Sequence, residues 1–202
     1  ARDLRYHWFE QIRQAENYDL IAVAHHHTDA IETILLNLTR GTGIAGLHGI
    51  LPKRGQLIRP LLFLSRVEID EVVHSENLAY VEDASNASDY YARNKIRLHI
   101  VPQLKAINPK IEHTFEQNIN RFRETEMVLQ QVVAQHRKSI FKQEDGVTLL
   151  SLAAIKALQP AQLLLFELLK PYQFQEPVIR DILRSLDKQS GVSFYSPSYR
   201  AT

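Results

Sequence analysis

The sequence predicts an α/β domain with a mainly parallel sheet, followed by an all-helical domain. In the first half, short apolar runs alternate with amphipathic helical segments, which is typical of a parallel sheet joined by helices. From Asn108-Pro109 onward only helical patterns remain, and prolines separate them. We therefore expect two domains, residues 1–107 and residues 108–202.

Three helices and three short strands are predicted in the first half. The helical patterns cover residues 2–17, the segment from Asp29 to Arg40 with Thr28 as its N-cap, and the segment that follows the Ser65–Glu68 capping box. Apolar runs at residues 20–24, 56–62 and 78–81 predict the strands. In the second half, apolar periodicity predicts helices over residues 111–139, 152–158, 161–169 and 177–186, and Gly146 interrupts the pattern.

The composition excludes several classes of protein. The 202 residues carry 24 Lys and Arg against 23 Asp and Glu, so the net charge of +1 excludes a uniformly basic nucleic-acid binder but not a local basic patch. The absence of cysteine excludes a disulfide framework, a zinc ribbon and thiol catalysis. The sequence has neither the apolar run of about 18 residues that a spanning helix needs nor a signal peptide. We therefore expect a cytoplasmic protein without a membrane partner.

The densest group of reactive side chains lies at residues 25–33. It follows the predicted strand 20–24 and begins a helix, and α/β sheets bind ligands at such positions. Asp29 and Glu32 are three positions apart, so both carboxylates share one helix face and could hold an ammonium ion or magnesium. His25 supports the prediction of a site. The histidine spacing does not fit a catalytic zinc site, so no metal ligands are assigned.

The glycine-rich segment after this helix satisfies the pattern G-x-G-x-x-G between Gly41 and Gly46. A dinucleotide-binding fingerprint follows a strand and begins a helix, whereas this segment follows a helix, so that interpretation fails. Two interpretations stay open, namely a tight turn, or a loop bordering a ligand site that includes Arg40, Gly41 and Gly43.

A basic stretch lies between Asp89 and Glu112, with five Lys or Arg and no acidic residue. Arg93 and Arg97 share one helix face and suit the binding of phosphate or carboxylate groups. The neighbouring tyrosines offer stacking surface for bases. A solvated cationic helix face is the alternative.

Together these residues resemble the tRNA(Ile)-lysidine synthetase family (TilS, also called MesJ) of PP-loop ATPases. The matching segments run in family order: Arg2-Asp3-Leu4-Arg5-Tyr6, Ala24-His25-His26 with Asp29 and Glu32-Thr33, Leu35 to Gly43 with Gly46-Leu47, Ile58 to Leu62, Asp83-Ala84-Ser85-Asn86, and Arg93 to Arg97 with Pro102 and Leu104. The resemblance implies a PP-loop ATPase domain, of the adenine nucleotide alpha hydrolase-like type, followed by the family's helical central domain.

The resemblance also implies a reaction and its partners. ATP adenylates the wobble cytidine of a minor isoleucine tRNA, and lysine then displaces AMP to give lysidine, with magnesium as the accompanying ion. Asp29, Glu32 and His25 would lie beside lysine and ATP. Four residues would contact a phosphate, the lysine carboxylate, developing negative charge or the tRNA: Arg5, Arg93, Asn94 and Arg97.

One departure from the family is evident. The family's ATP-binding Ser-Gly-Gly-x-Asp-Ser loop does not occur in these 202 residues. We therefore expect a truncated domain that binds ATP poorly on its own and does not turn over, with an exposed sheet edge that would allow a homodimer. The alternatives are another PP-loop tRNA-modifying enzyme, such as a thiolase, which the lack of cysteine disfavours, and a non-enzymatic helical module for RNA binding or dimerisation.

Overall fold

The computed structural model describes residues 2–81, 88–187 and 191–202, so the Asp83–Asn86 segment of the resemblance lies outside the described residues. The chain divides into two compact units, Ala1–Glu126 and Met127–Thr202. This division falls inside one long helix, whereas the sequence predicts the change of domain at residue 107. Within the described ranges, none of the helices has the length and apolar composition that a membrane crossing requires.

The first unit alternates helices with very short strands. Its elements are α1 (Arg2–Ala15), β1 (Ile21–Ala22), α2 (His27–Arg40), α3 (Ile44–Leu47), β2 (Lys53–Arg54), β3 (Leu57–Ile58), α4 (Arg66–Ser75), α5 (Ala92–Lys95), a π-helical turn (Ile96–Ile100), α6 (Val101–Ile107) and the beginning of α7 (Ile111–Ile140). The predicted helices over residues 2–17 and 111–139 are confirmed with small shifts of their ends.

The described sheet of this unit is mixed, with the strand order β1-β3-β2. β1 pairs with β3 in parallel, Ile21 opposite Leu57, and β2 pairs with β3 in antiparallel fashion. The expectation of a mainly parallel sheet is thus met by one of the two strand pairs. The predicted strand at 78–81 is wrong for the described residues, because this segment pairs with no strand and Val81 is 95% exposed.

The prediction that Thr28 caps α2 is also wrong. The helix begins at His27, and the extended residue His26 is its N-cap. The backbone N–H of His26 donates to Asp29 Oδ2 at 2.9 Å, which satisfies the helix start with a carboxylate. Asp29 therefore has a local structural task in addition to any chemistry.

Two small apolar clusters fix α2 against the following helices. Ala30 and Ile34 pack with Ile119 of α7, and Ile31 packs with Ile96 and Val101 of the 92–107 helical segment. These contacts are made by the apolar stripe that the sequence predicts for α2. They bring the start of α2 next to the segment that carries Arg93 and Arg97.

The predicted capping box at the start of α4 is confirmed. Ser65 Oγ accepts a hydrogen bond from the N–H of Glu68 at 3.2 Å, and Glu68 Oε2 accepts one from the N–H of Ser65 at 2.7 Å.

We expect Ser65→Ala to lower the free energy of unfolding by about 1 kcal/mol, measured by urea denaturation. Ser65→Asp is the control, because aspartate also caps. An equal loss in both variants would contradict a role for the cap.

The second unit contains helices and two hairpins, so the prediction of an all-helical second domain is wrong. After α7 come β4 (Phe141–Glu144), β5 (Val147–Leu150), α8 (Leu152–Lys156), α9 (Ala161–Leu169), a 3₁₀ turn (Lys170–Tyr172), α10 (Glu176–Ser185), β6 (Phe194–Tyr195) and β7 (Arg200–Ala201). The helices predicted at 152–158, 161–169 and 177–186 are confirmed.

The first hairpin arises from a turn that the helical interpretation overlooked. Asp145 and Gly146 have φ values of 48° and 77°, and two central residues with positive φ suit a two-residue hairpin loop. The strands β4 and β5 pair in antiparallel fashion on either side, with Glu144 opposite Val147. The Asp-Gly pair between β-forming residues was the available signal.

Candidate active site

The start of α2 presents two acidic side chains to the interior of the first unit. The side chain of Glu32 is completely buried, and that of Asp29 is 12% exposed. Their spacing of three positions places them on one face, as the sequence predicts. A buried carboxylate is strongly disfavoured unless it is paired and hydrogen-bonded, so both side chains need cationic partners.

Those partners are two arginines that lie more than sixty positions further along the chain. Arg93 Nε donates to Glu32 Oε2 at 2.8 Å, and its Nη2 donates to Asp29 Oδ1 at 3.1 Å. Arg97 Nε donates to Glu32 Oε1 at 2.6 Å, and its Nη2 to Glu32 Oε2 at 3.0 Å. We call Asp29, Glu32, Arg93 and Arg97 the carboxylate–arginine cluster.

The 92–107 helical segment positions these arginines. Arg93 lies on α5 and Arg97 in the π-helical turn that follows it, and both point to the first turn of α2. π-helical turns within longer helices are frequent at functional sites. Arg93 and Arg97 lie on one face, as predicted, and that face contacts Glu32. The structure thus brings the four residues of the carboxylate–arginine cluster together.

The charges of the carboxylate–arginine cluster balance, and its arginines are partly exposed to solvent. Two carboxylates face two guanidinium groups, and the hydrogen bonds that Arg97 donates to Glu32 hold the pKa of Arg97 above its ordinary value. The side chains of Arg93 and Arg97 are 34% and 33% exposed. Each arginine thus places part of a fixed cationic fork at the surface, whereas the carboxylate of Glu32 is out of reach of solvent. Such forks suit phosphate or carboxylate groups of a ligand.

His25 lies in a different environment, because it contacts an arginine of the neighbouring strand. Arg59 Nε donates to His25 Nδ1 at 3.3 Å. The two residues follow β1 and β3, which are parallel neighbours whose ends meet at one edge of the sheet. His25 is half-buried and Arg59 is 8% exposed.

The next histidines have other tasks. His26 caps α2, and its Nε2 lies 3.5 Å from Asp29 Oδ2. His27 is half-buried, and burial lowers its pKa against the opposing effect of Glu116 and Glu112. The three consecutive histidines therefore do not form one catalytic group.

The remaining predicted residues lie outside the carboxylate–arginine cluster. Arg5 is exposed on α1, and within the described residues no ion pair joins it to the cluster. Asn94 donates from Nδ2 to the carbonyl of Ser88 at 2.7 Å. Arg40 is exposed at the end of α2, Gly41 follows it with a φ of 78°, and Gly43 is the N-cap of α3. The positive φ of Gly41 is a backbone conformation that favours glycine.

The described residues do not form a metal site of their own. No group of three or more His, Asp or Glu side chains with the arrangement of metal ligands occurs in the ranges that the structure covers. The carboxylates of Asp29 and Glu32 are already bound by arginines. The magnesium ion that the resemblance implies therefore finds no ready set of oxygen ligands in this part of the chain.

Arg59 is the site residue that the sequence reasoning missed. The segment Ile58-Arg59-Pro60 contributed to the family resemblance without a role for its arginine. Arg59 lies inside the predicted strand 56–62, so the sequence carried no separate signal for it. The observed strand β3 ends at Ile58, which places Arg59, like His25, after a parallel strand, and the ends of parallel strands converge.

Comparison with known proteins identifies two kinds of domain in the chain. A family model described as the PP-loop domain matches residues 1–104, and one described as the TilS substrate binding domain matches residues 143–202. A tRNA(Ile)-lysidine synthase of Parabacteroides distasonis is 40% identical over 200 residues, which cover 99% of this chain and 45% of the relative. The corresponding protein of Bacteroides thetaiotaomicron is 39% identical over 201 residues, covering 99% of this chain and 46% of the relative.

A more distant relative is the bifunctional protein TilS/HprT of Listeria monocytogenes, 35% identical over 181 residues that cover 87% of this chain and 28% of the relative. The chain spans less than half the length of these curated relatives. The PP-loop match nevertheless covers more than half of the chain, and the second match adds the TilS substrate binding domain. The chain therefore belongs to the PP-loop domain family, and within it to the tRNA(Ile)-lysidine synthase (TilS) family.

Proposed function

We propose that the full-length protein containing this chain is a tRNA(Ile)-lysidine synthase. In this reaction, ATP adenylates the wobble cytidine of a CAU anticodon with release of diphosphate, and the amine of lysine then displaces AMP. The observation that carries the proposal is the match of 99% of the chain to relatives of that name at 39–40% identity. The carboxylate–arginine cluster in the PP-loop part of the chain supports it.

The two carboxylates have separate roles in this proposal. The side chain of Asp29 retains 12% exposure, whereas that of Glu32 has none. Asp29 is therefore the carboxylate that meets the lysine ammonium and assists proton removal. Glu32 is a positioning residue that holds both arginines, and His25, which accepts a hydrogen bond from Arg59, is proposed as a separate substrate contact.

The arginines supply the cationic surface of the site. Each uses Nε and Nη2 toward the carboxylates, which fixes the orientation of the planar guanidinium group. A group held in this way needs little rearrangement when it meets a phosphate or the negative charge that develops during adenylation. Arg5 and Asn94 remain proposed contacts to substrate, and the loop at Arg40, Gly41 and Gly43 is proposed to border the site.

The partners follow from the same proposal. They are ATP, L-lysine, tRNA and, for the full-length protein in the cytoplasm, a second copy of itself. Magnesium would arrive with the phosphates of ATP, and no step is assigned to it through Asp29 or Glu32. The proposed domains are residues 1–107 and 108–202, supported by the end of the PP-loop match at residue 104 and the interruption between α6 and α7 at Asn108.

The direct test is an assay of the full-length protein with transcribed tRNA(Ile) carrying a CAU anticodon, ATP and labelled lysine. We expect label to enter the tRNA only when ATP is present, with one AMP formed for each lysine transferred. A methionine tRNA with the same anticodon is the control. A full-length protein that transfers no lysine, or that thiolates the tRNA instead, would contradict the proposal.

Arg97→Met should lower lysine incorporation at least tenfold, because a charge-assisted contact aimed at developing negative charge contributes on the order of 100-fold to a rate. The binding of tRNA should also weaken and lose part of its salt dependence if Arg97 contacts a phosphate. Arg66→Met is the matched control, since Arg66 is exposed on α4 and pairs with Asp70. Equal activity of the two variants would contradict a role for Arg97.

A further inference from the structure

The contact between Arg59 and His25 determines more than the position of a side chain. Arg59 Nε carries one hydrogen and lies 3.3 Å from His25 Nδ1, in the geometry of a donor. A guanidinium group stays protonated at any ordinary pH and cannot accept a hydrogen bond. The Nδ1 atom of His25 must therefore be the acceptor.

The orientation of Arg59 is fixed independently of His25. Its Nη1 donates to the carbonyl of Leu51, and its backbone N–H donates to the carbonyl of Pro52 at 2.9 Å. Arg59 is buried to all but 8%. The donor is thus held in place by the turn before β2, and the ring of His25 has to adapt to it.

We propose that Arg59 is a positioning residue that fixes His25 as the neutral tautomer with its proton on Nε2. Which nitrogen of a neutral imidazole carries the proton depends on the hydrogen bond that the other nitrogen makes. Since Nδ1 accepts from Arg59, the proton lies on Nε2, and His25 acts as a hydrogen-bond donor at Nε2. His25 then stabilises negative charge through Nε2–H and does not act as a general base.

This inference rests on the proposed function only for the role of the Nε2–H donor in the reaction. The tautomer of His25 is a property of the protein itself. A positioning role of Arg59 also differs from a purely structural one, in which the guanidinium group would only anchor the turn at Leu51 and Pro52. A structural role predicts a loss of stability without a change in the state of the imidazole.

The test is nitrogen NMR of the full-length protein labelled with ¹⁵N-histidine, at a pH where exposed histidines are neutral. The signals of His25 are assigned by their loss in His25→Gln. We expect the wild type to show a protonated Nε2 and an unprotonated Nδ1, and Arg59→Met to show a mixture of tautomers. Arg59→Lys should restore part of the wild-type pattern, and Arg54→Met, which removes an exposed charge from the same sheet, should leave it unchanged.

Activity provides the second readout. We expect Arg59→Met to lower kcat about tenfold or more, since a histidine in the wrong tautomer loses most of its contribution, while KM for lysine changes little. A wild-type His25 protonated on Nδ1, or an unchanged tautomer in Arg59→Met, would overturn the inference even if some variants fold poorly. If the wild type shows the expected tautomer but forms no lysidine, the proposed function fails and the inference about the tautomer stands.

Discussion

Asp29→Asn should reduce lysidine formation by about 100-fold or more, because the variant removes a negative charge that is proposed to meet the lysine ammonium and to assist proton removal. The side chain keeps its size, but its single amide oxygen can replace one of the two acceptors of Asp29, either toward Arg93 or toward the backbone N–H of His26. We therefore expect a loss of stability of the first unit in addition to the loss of chemistry, and the rate is compared at a temperature where the variant is folded.

Measuring the two steps of the reaction separately distinguishes a specific loss of lysine transfer from a general loss of activity. Adenylation of the tRNA is measured by the release of diphosphate in a single-turnover experiment. We expect Asp29→Asn to retain this adenylation and to lose lysine transfer. Asp70→Asn is the matched control, since Asp70 is an exposed aspartate on α4 that pairs with Arg66. Full lysidine synthesis by Asp29→Asn would remove Asp29 from the site, and loss of adenylation, which also prevents lysine transfer, would assign Asp29 to the ATP step.

Glu32→Gln should have the largest effect on stability. Glu32 is completely buried and accepts hydrogen bonds from both arginines, so its neutralisation leaves Asp29 as the single carboxylate of the cluster facing two guanidinium groups. Breaking a buried pair typically lowers the free energy of unfolding by 3–5 kcal/mol. Since Arg93 and Arg97 are each about one third exposed and can turn toward water, we expect about 3 kcal/mol, measured by urea denaturation.

Two further variants decide whether this loss arises from the cluster. Glu71→Gln changes an exposed glutamate on α4 and should be neutral. The double variant Glu32→Gln with Arg97→Met should lose less than the sum of the single variants, because the second change removes a charge that the first one leaves unpaired. Strict additivity would show that Glu32 does not stabilise the protein through Arg97.

Local sequence signals predicted most helices of this chain. The periodicity of apolar residues identified α1, α7 and the helices of the second unit, and the Ser65–Glu68 box marked the start of α4, because hydrogen bonds and neighbouring turns determine these features. Predictions from the same signals were wrong where a longer-range partner decides the outcome. The apolar run at 78–81 has no strand to pair with among the described residues, and the β4–β5 hairpin was hidden in a region of helical patterns.

The sequence by itself determined which side chains to suspect, since Asp29 and Glu32 had to share a helix face and Arg93 and Arg97 had to share another. Only the tertiary structure decided that the two faces meet, that Glu32 is inaccessible while Asp29 is not, and that Arg59 faces His25. Spacing along one helix fixes directions within that helix alone. Contacts between residues 61 positions apart, such as Arg93 and Glu32, depend on how the apolar stripe of α2 packs.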